Sequence, residues 1–83
     1  MFIKRNNVVV NLNNISSFLI CEWENEKRMI SFISLLNQSI MNFKFEDEVR
    51  CQIAFEIIVT HLCSDVSIIH LEDVMINQFL KKK

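Results

Sequence analysis

The sequence contains neither glycine nor proline in its 83 residues. Glycine lets a backbone take positive φ or approach a bound phosphate closely, so phosphate-cradling loops, dinucleotide-binding turns and nucleophile elbows are excluded as motifs. Turns must instead be made by Asn, Asp and Ser, which tolerate left-handed geometry or bond to the backbone through their side chains. Clusters of these residues mark the element boundaries: Asn6-Asn7, Asn13-Asn14, Asn37-Gln38-Ser39 and Ser64-Asp65.

The first half of the chain predicts four strands. They cover residues 2–12, with a bend at Asn6-Asn7, and residues 15–23, 29–36 and 40–45. The last of these alternates apolar and polar residues, which is the period of a strand with one buried face. Because the connections are short, the strands are expected to form an antiparallel meander.

The second half predicts two helices. Asp47 stands before the first helix as a candidate N-cap, and the helix continues to about Cys63 with two apolar stripes instead of one. A continuous helical pattern over residues 66–81 favours a second helix. A competing interpretation makes residues 66–71 a short strand and begins the helix near Glu72, since this segment is rich in β-branched residues.

These elements predict a single α+β domain over residues 1–83. Residues 1–45 form a four-stranded antiparallel β-meander, residues 46–81 form two helices packed on the sheet, and residues 82–83 are a frayed tail. The order of strands and C-terminal helix also resembles the closing half of pleckstrin-homology-like barrels. That resemblance implies, as the alternative, a half-barrel with a C-terminal helix.

Charge and cysteine content limit the class of partner and the compartment. The net charge is −1, and the one basic cluster is the terminal run of residues 81–83, so nucleic acid and anionic membranes are not expected partners. Cys21, Cys51 and Cys63 form no CxxC pair and are odd in number, which is typical of reduced thiols in a cytoplasmic protein. No secretory signal or membrane-spanning segment is predicted.

No constellation of residues predicts catalysis or metal binding. His61, Cys63 and His70 are the nearest approach to a zinc site, but residues two apart on a helix point away from each other. Cys51 lies in an apolar stripe, where a thiol is inert. We therefore expect no enzyme activity, cofactor or small-molecule ligand.

The predicted meander carries more apolar side chains than two helices can cover. The second and third predicted strands are apolar on both faces, and one face is expected to remain exposed in a lone chain. The sequence therefore predicts a protein-interaction or assembly module, either a homodimer or a complex with another protein. Trp23, beside the polar hairpin tip predicted at residues 24–27, is a further candidate, although a tryptophan is more often buried at the end of a core. The candidate interface residues are Phe18, Ile20, Trp23, Ile30, Phe32, Met75 and Phe79. The alternative is a small-ligand-binding or enzymatic domain with a pocket between sheet and helices or at a dimer interface.

Overall fold

The computed structural model describes residues 1–25, 27–34 and 40–82. Within these ranges the chain is α+β, as predicted. In chain order its elements are β1 (Phe2–Arg5), β2 (Val8–Asn11), a 3-10 turn (Leu12–Asn14), β3 (Ile15–Glu24), β4 (Lys27–Ser34), β5 (Ile40–Phe45), α1 (Glu48–His61), β6 (Ile68–His70) and α2 (Asp73–Lys82).

The first two strands form a tight hairpin. Asn6 takes a left-handed φ of 55°, which asparagine tolerates better than most residues, and Arg5 pairs directly with Val8 across the turn. The prediction of one long bent strand over residues 2–12 is therefore wrong. Two successive asparagines reverse the chain without glycine.

The strands form two separate three-stranded sheets. β3, β4 and β5 form an antiparallel meander, while β1 lies between β2 and β6 in the other sheet. The predicted four-stranded meander is thus confirmed only for β3–β5, and the described strands do not close into a barrel. The predicted turn at residues 37–39 lies outside the described residues.

The helix predicted over residues 66–71 is wrong, and the competing strand interpretation holds for β6. Ile68, Ile69 and His70 pair in parallel with β1. The Phe2 amide donates to the Ser67 carbonyl at 2.8 Å, and the Leu71 amide donates to the Lys4 carbonyl at 2.8 Å. This pairing gives hydrogen-bond partners to the backbone groups on the second edge of β1, and it buries Ile69 beside Ile3.

Helix α1 begins at the predicted cap and is buried on two sides. Asp47 accepts a hydrogen bond from the Arg50 amide at 2.7 Å. One side packs on the meander, where the rings of Phe55 and Phe18 lie 5.3 Å apart. On the other side, Ile53 and Ile57 lie beside Phe79 of α2. The two apolar stripes of this helix thus contact two different elements of the same chain.

The sheet face expected to be exposed forms the core. Ile30 and Phe32 are fully buried, and Phe18 and Ile20 are half-buried against the same cluster. The prediction that this face is exposed is wrong because α1 packs on it. The opposite face of the meander carries Leu19, which is 41% exposed. β1 and β2 join β6 in a second sheet, whose buried row of Ile3, Val10 and Ile69 belongs to the same core.

No α-helix in the described part of the chain has both the length and the apolar composition needed to cross a membrane.

Candidate functional site

An apolar groove lies where β6 meets the two helices. Two adjoining cavities, of about 120 and about 150 Å³, share Ile57, His61 and Phe79 as lining residues. We call this surface the β6 groove and define it by six residues: Ile57, His61, Ile68, His70, Met75 and Phe79.

Three apolar side chains of the groove are open to solvent. Ile68 is 43% exposed, Met75 38% and Phe79 43%. Met75 and Phe79 are four residues apart on α2 and share a face of the helix. Phe2, which is 41% exposed, pairs with Ile68 across the sheet and extends the apolar surface onto β1. Single exposed apolar residues are common on protein surfaces, but a group gathered around one groove is typical of an interaction site.

Two histidines stand at the polar margin of the groove. The Nδ1 of His61 donates to the Ile57 carbonyl at 2.8 Å, since a carbonyl oxygen can only accept. The Nδ1 of His70 lies 3.5 Å from Oε2 of Glu72. The other oxygen of Glu72 accepts from Nζ of Lys4 at 2.6 Å, and this hydrogen bond lowers the pKa of the Glu72 carboxyl.

The structure brings His61 and His70 to one groove, whereas Cys63 is exposed in the turn after α1. Within the described ranges, no group of three or more His, Cys, Asp or Glu side chains is arranged to hold a metal ion. The arrangement offers apolar contact with two imidazoles at its margin.

The predicted interface residues are divided between the groove and other places. Met75 and Phe79 lie in the groove, whereas Ile30 and Phe32 lie in the core. Phe18 lines a separate hollow of about 340 Å³ between β3 and the end of α1.

Trp23 is engaged within the chain. Its half-buried indole donates through Nε1 to the Arg28 carbonyl at 3.1 Å and the Phe45 carbonyl at 3.4 Å. The ammonium groups of Lys44 and Lys27 lie 4.8 and 5.2 Å from the ring centroid. Trp23 is thus held by contacts within the β3–β5 sheet, and it is not among the half-buried side chains that pack against the core.

Sequence reasoning missed the contribution of α1 and β6 to the groove. Ile57 belongs to the second apolar stripe of α1, and that stripe was the available signal. Ile68 and His70 were assigned to a helix, although the β-branched run around them favoured the competing strand.

Arg5 connects the two sheets. The guanidinium of Arg5 lies 4.1 Å above the Phe45 ring and donates to the Lys44 carbonyl at 2.8 Å. Asp73 at the start of α2 lies 3.6 Å away. These contacts connect β1, β5 and α2.

Comparison with known proteins does not assign the chain to a family. No family model, curated protein or solved structure matches the chain.

Proposed function

We propose that the chain is a small non-enzymatic protein-interaction module that binds a partner protein in the β6 groove. The observation that carries this proposal is the gathering of exposed Ile68, Met75 and Phe79 around one groove. Binding energy in protein interfaces concentrates in a few large apolar side chains that lose water together. Phe79 lines both cavities and is the natural centre of such a contact.

A small-ligand-binding or enzymatic role is the second candidate, favoured by His61 and His70 at the groove margin. A cavity of about 150 Å³ admits a benzene-sized group. The lining is mainly apolar, however, whereas ligand pockets usually add several convergent polar groups that fix orientation. The protein-interaction proposal accounts for more of the observed surface.

Ile30 and Phe32, expected from the sequence at a dimer interface, are covered by the chain itself. The accessible surface is 5580 Å², close to the roughly 5200 Å² expected of a monomer of this mass. Self-association through the β6 groove remains one form of the proposal. Light scattering of the purified chain separates it from binding of a different protein.

The test compares two exposed positions on α2. Phe79→Ser removes the central groove contact, whereas Val74→Ser is its control, since Val74 is 67% exposed and lines neither cavity of the groove. Each tagged variant is expressed in the native host, and the proteins recovered with it are quantified by mass spectrometry. Thermal melting checks that both variants fold.

We expect one protein, either foreign or an untagged second copy, to be enriched with the wild type and with Val74→Ser and to be lost with Phe79→Ser. Retention of that protein by folded Phe79→Ser contradicts the groove as the binding surface. Recovery of no enriched protein with the wild type contradicts the interaction proposal itself.

A further inference from the structure

The backbone of β6 has one edge paired and the other open within the described residues. In a parallel ladder, alternate residues of a strand direct their amide and carbonyl groups to opposite neighbours. The bonds between Phe2 and Ser67 and between Lys4 and Leu71 fix the phase, so Ile69 faces β1. The amide and carbonyl groups of Ile68 and His70 therefore point away from β1, at the outer edge of the sheet.

This open edge borders the β6 groove. Ile68, Ile69 and His70 all line the cavity of about 120 Å³, with Met75 and Phe79 opposite them. An extended chain lying along β6 would place alternate side chains over this cavity and leave the others in solvent, because side chains alternate across a strand. The backbone edge and the apolar cavity thus both favour a ligand in extended conformation.

The outer edges of β3 and β5 carry features that discourage strand pairing. β3 has two irregularities in its register with β4. The second lies between Glu22 and Glu24, which also place two acids at the end of this strand. The Lys44 carbonyl of β5 already accepts from Arg5. Bulges, charges and covered carbonyls are the devices by which edge strands avoid new partners. β2 and β6 are the edges without these features, and β6 is the one that borders a groove between two helices.

We propose that the partner presents an extended segment that adds to β6 as a fourth strand of the β2–β1–β6 sheet and inserts an apolar side chain between α1 and α2. This inference rests on the proposed function and specifies its binding mode. The ligand is a peptide with apolar residues at alternating positions. Backbone hydrogen bonds supply affinity in this mode, and the pocket for alternate side chains supplies specificity.

A library of random linear peptides displayed on phage supplies the probe, selected on the immobilised full-length chain. Selected peptides are synthesised, and their affinities are measured by fluorescence anisotropy. We expect apolar residues at positions i and i+2. Methylation of backbone nitrogens along the peptide should weaken binding at least tenfold at every second amide and much less at the intervening ones.

A pair of variants tests the backbone of β6 directly. His70→Pro removes an amide that takes no part in the β1 ladder, a position at which an edge strand accepts proline. His70→Ser removes the imidazole and keeps the amide. We expect at least tenfold weaker peptide binding for His70→Pro than for His70→Ser. Unchanged amide chemical shifts of Ile3 and Val10 in both variants show that the sheet is intact.

Several results overturn strand addition. They are failure to select any peptide, selection of peptides with apolar residues at helical spacing, equal affinity of folded His70→Pro and His70→Ser, and the absence of a two-residue period in the methylation series. Loss of the native partner on Phe79→Ser together with any of these leaves the proposed function standing and removes only the binding mode. Retention of that partner by folded Phe79→Ser is the separate failure of the proposed function.

Discussion

At the scale of single residues, this chain builds its turns and helix ends from polar side chains because it contains no glycine or proline. Asn6 supplies the left-handed residue of the β1–β2 turn. Asp47 supplies the cap of α1, with Oδ1 accepting from the Arg50 amide and Oδ2 from the Arg50 guanidinium. The sequence pattern could identify both positions as chain breaks or helix caps.

Replacing Asp47 by Ala should lower the free energy of unfolding by about 1 kcal/mol, because the first turn of α1 loses its acceptor. The backbone hydrogen bond from Arg50 lowers the pKa of the Asp47 carboxyl. Its stabilising contribution is therefore complete above the pKa of the unfolded chain and is lost as the pH falls through the lowered folded value. Urea unfolding from neutral to acidic pH measures both effects.

The matched control for this prediction is Glu46→Ala, which removes an exposed acid at the preceding position. Its ion pair with Lys27 spans 3.5 Å at the surface, so its loss should change stability by less than about 0.5 kcal/mol. An equal loss of stability in both variants would contradict the capping role of Asp47.

The cysteines should differ sharply in reactivity. Cys51 is fully buried, and burial raises the pKa of its thiol to about 11, whereas Cys63 is exposed. Because the thiolate is the reactive form, iodoacetamide should modify Cys63 in the folded chain and Cys51 only after unfolding. Peptide mapping by mass spectrometry locates the label. Equal labelling rates of the two residues in native conditions would show that Cys51 is not in the core.

At the scale of elements, local patterns predicted the structure where neighbouring residues decide it. The polar turns separated β3 from its neighbours, and the acidic cluster with Asp47 located the start of α1. The pattern failed at β6, because residues 66–71 satisfy both a helical and a β-branched pattern. Pairing with β1, at the opposite end of the sequence, decides between them, and no local feature of residues 66–71 encodes it.

Amide exchange can verify β6 in the free chain. The amides of Ile69 and Leu71 are directed to β1 and should exchange slowly, whereas those of Ile68 and His70 lie at the open edge and should exchange fast. Proton–nitrogen NMR spectra recorded in deuterated water resolve this alternation. Uniform protection across these four residues is the pattern of a helix and would contradict the strand.

Neighbouring residues of α1 should differ greatly in their contribution to stability. Ile58 is fully buried and Val59 is 47% exposed. Ile58→Ala should cost about 2–5 kcal/mol, a large share of the roughly 4–12 kcal/mol expected for a domain of this length, whereas Val59→Ala should cost about 0.5 kcal/mol or less. Urea unfolding midpoints measure the difference. Similar costs at both positions would mean that α1 does not lie on the sheet as described.

At the scale of the whole molecule, the sequence predicted which residues share a face but not what covers them. Phe18, Ile20, Ile30 and Phe32 do lie on one face of β3 and β4, as their parity requires. Helix α1 covers them, and its position on the sheet is a property of the assembled fold. The pairing of β6 with β1 forms the β6 groove, so the candidate site could not be derived before the fold.

Partners that bind at the β6 groove should perturb its amide signals when the labelled chain is titrated with its recovered partner. We expect the largest chemical-shift changes at Ile68, His70, Met75 and Phe79. Changes concentrated on the opposite side of the β3–β5 sheet, around Leu19 and Met29, with the groove signals unmoved, would contradict this expectation.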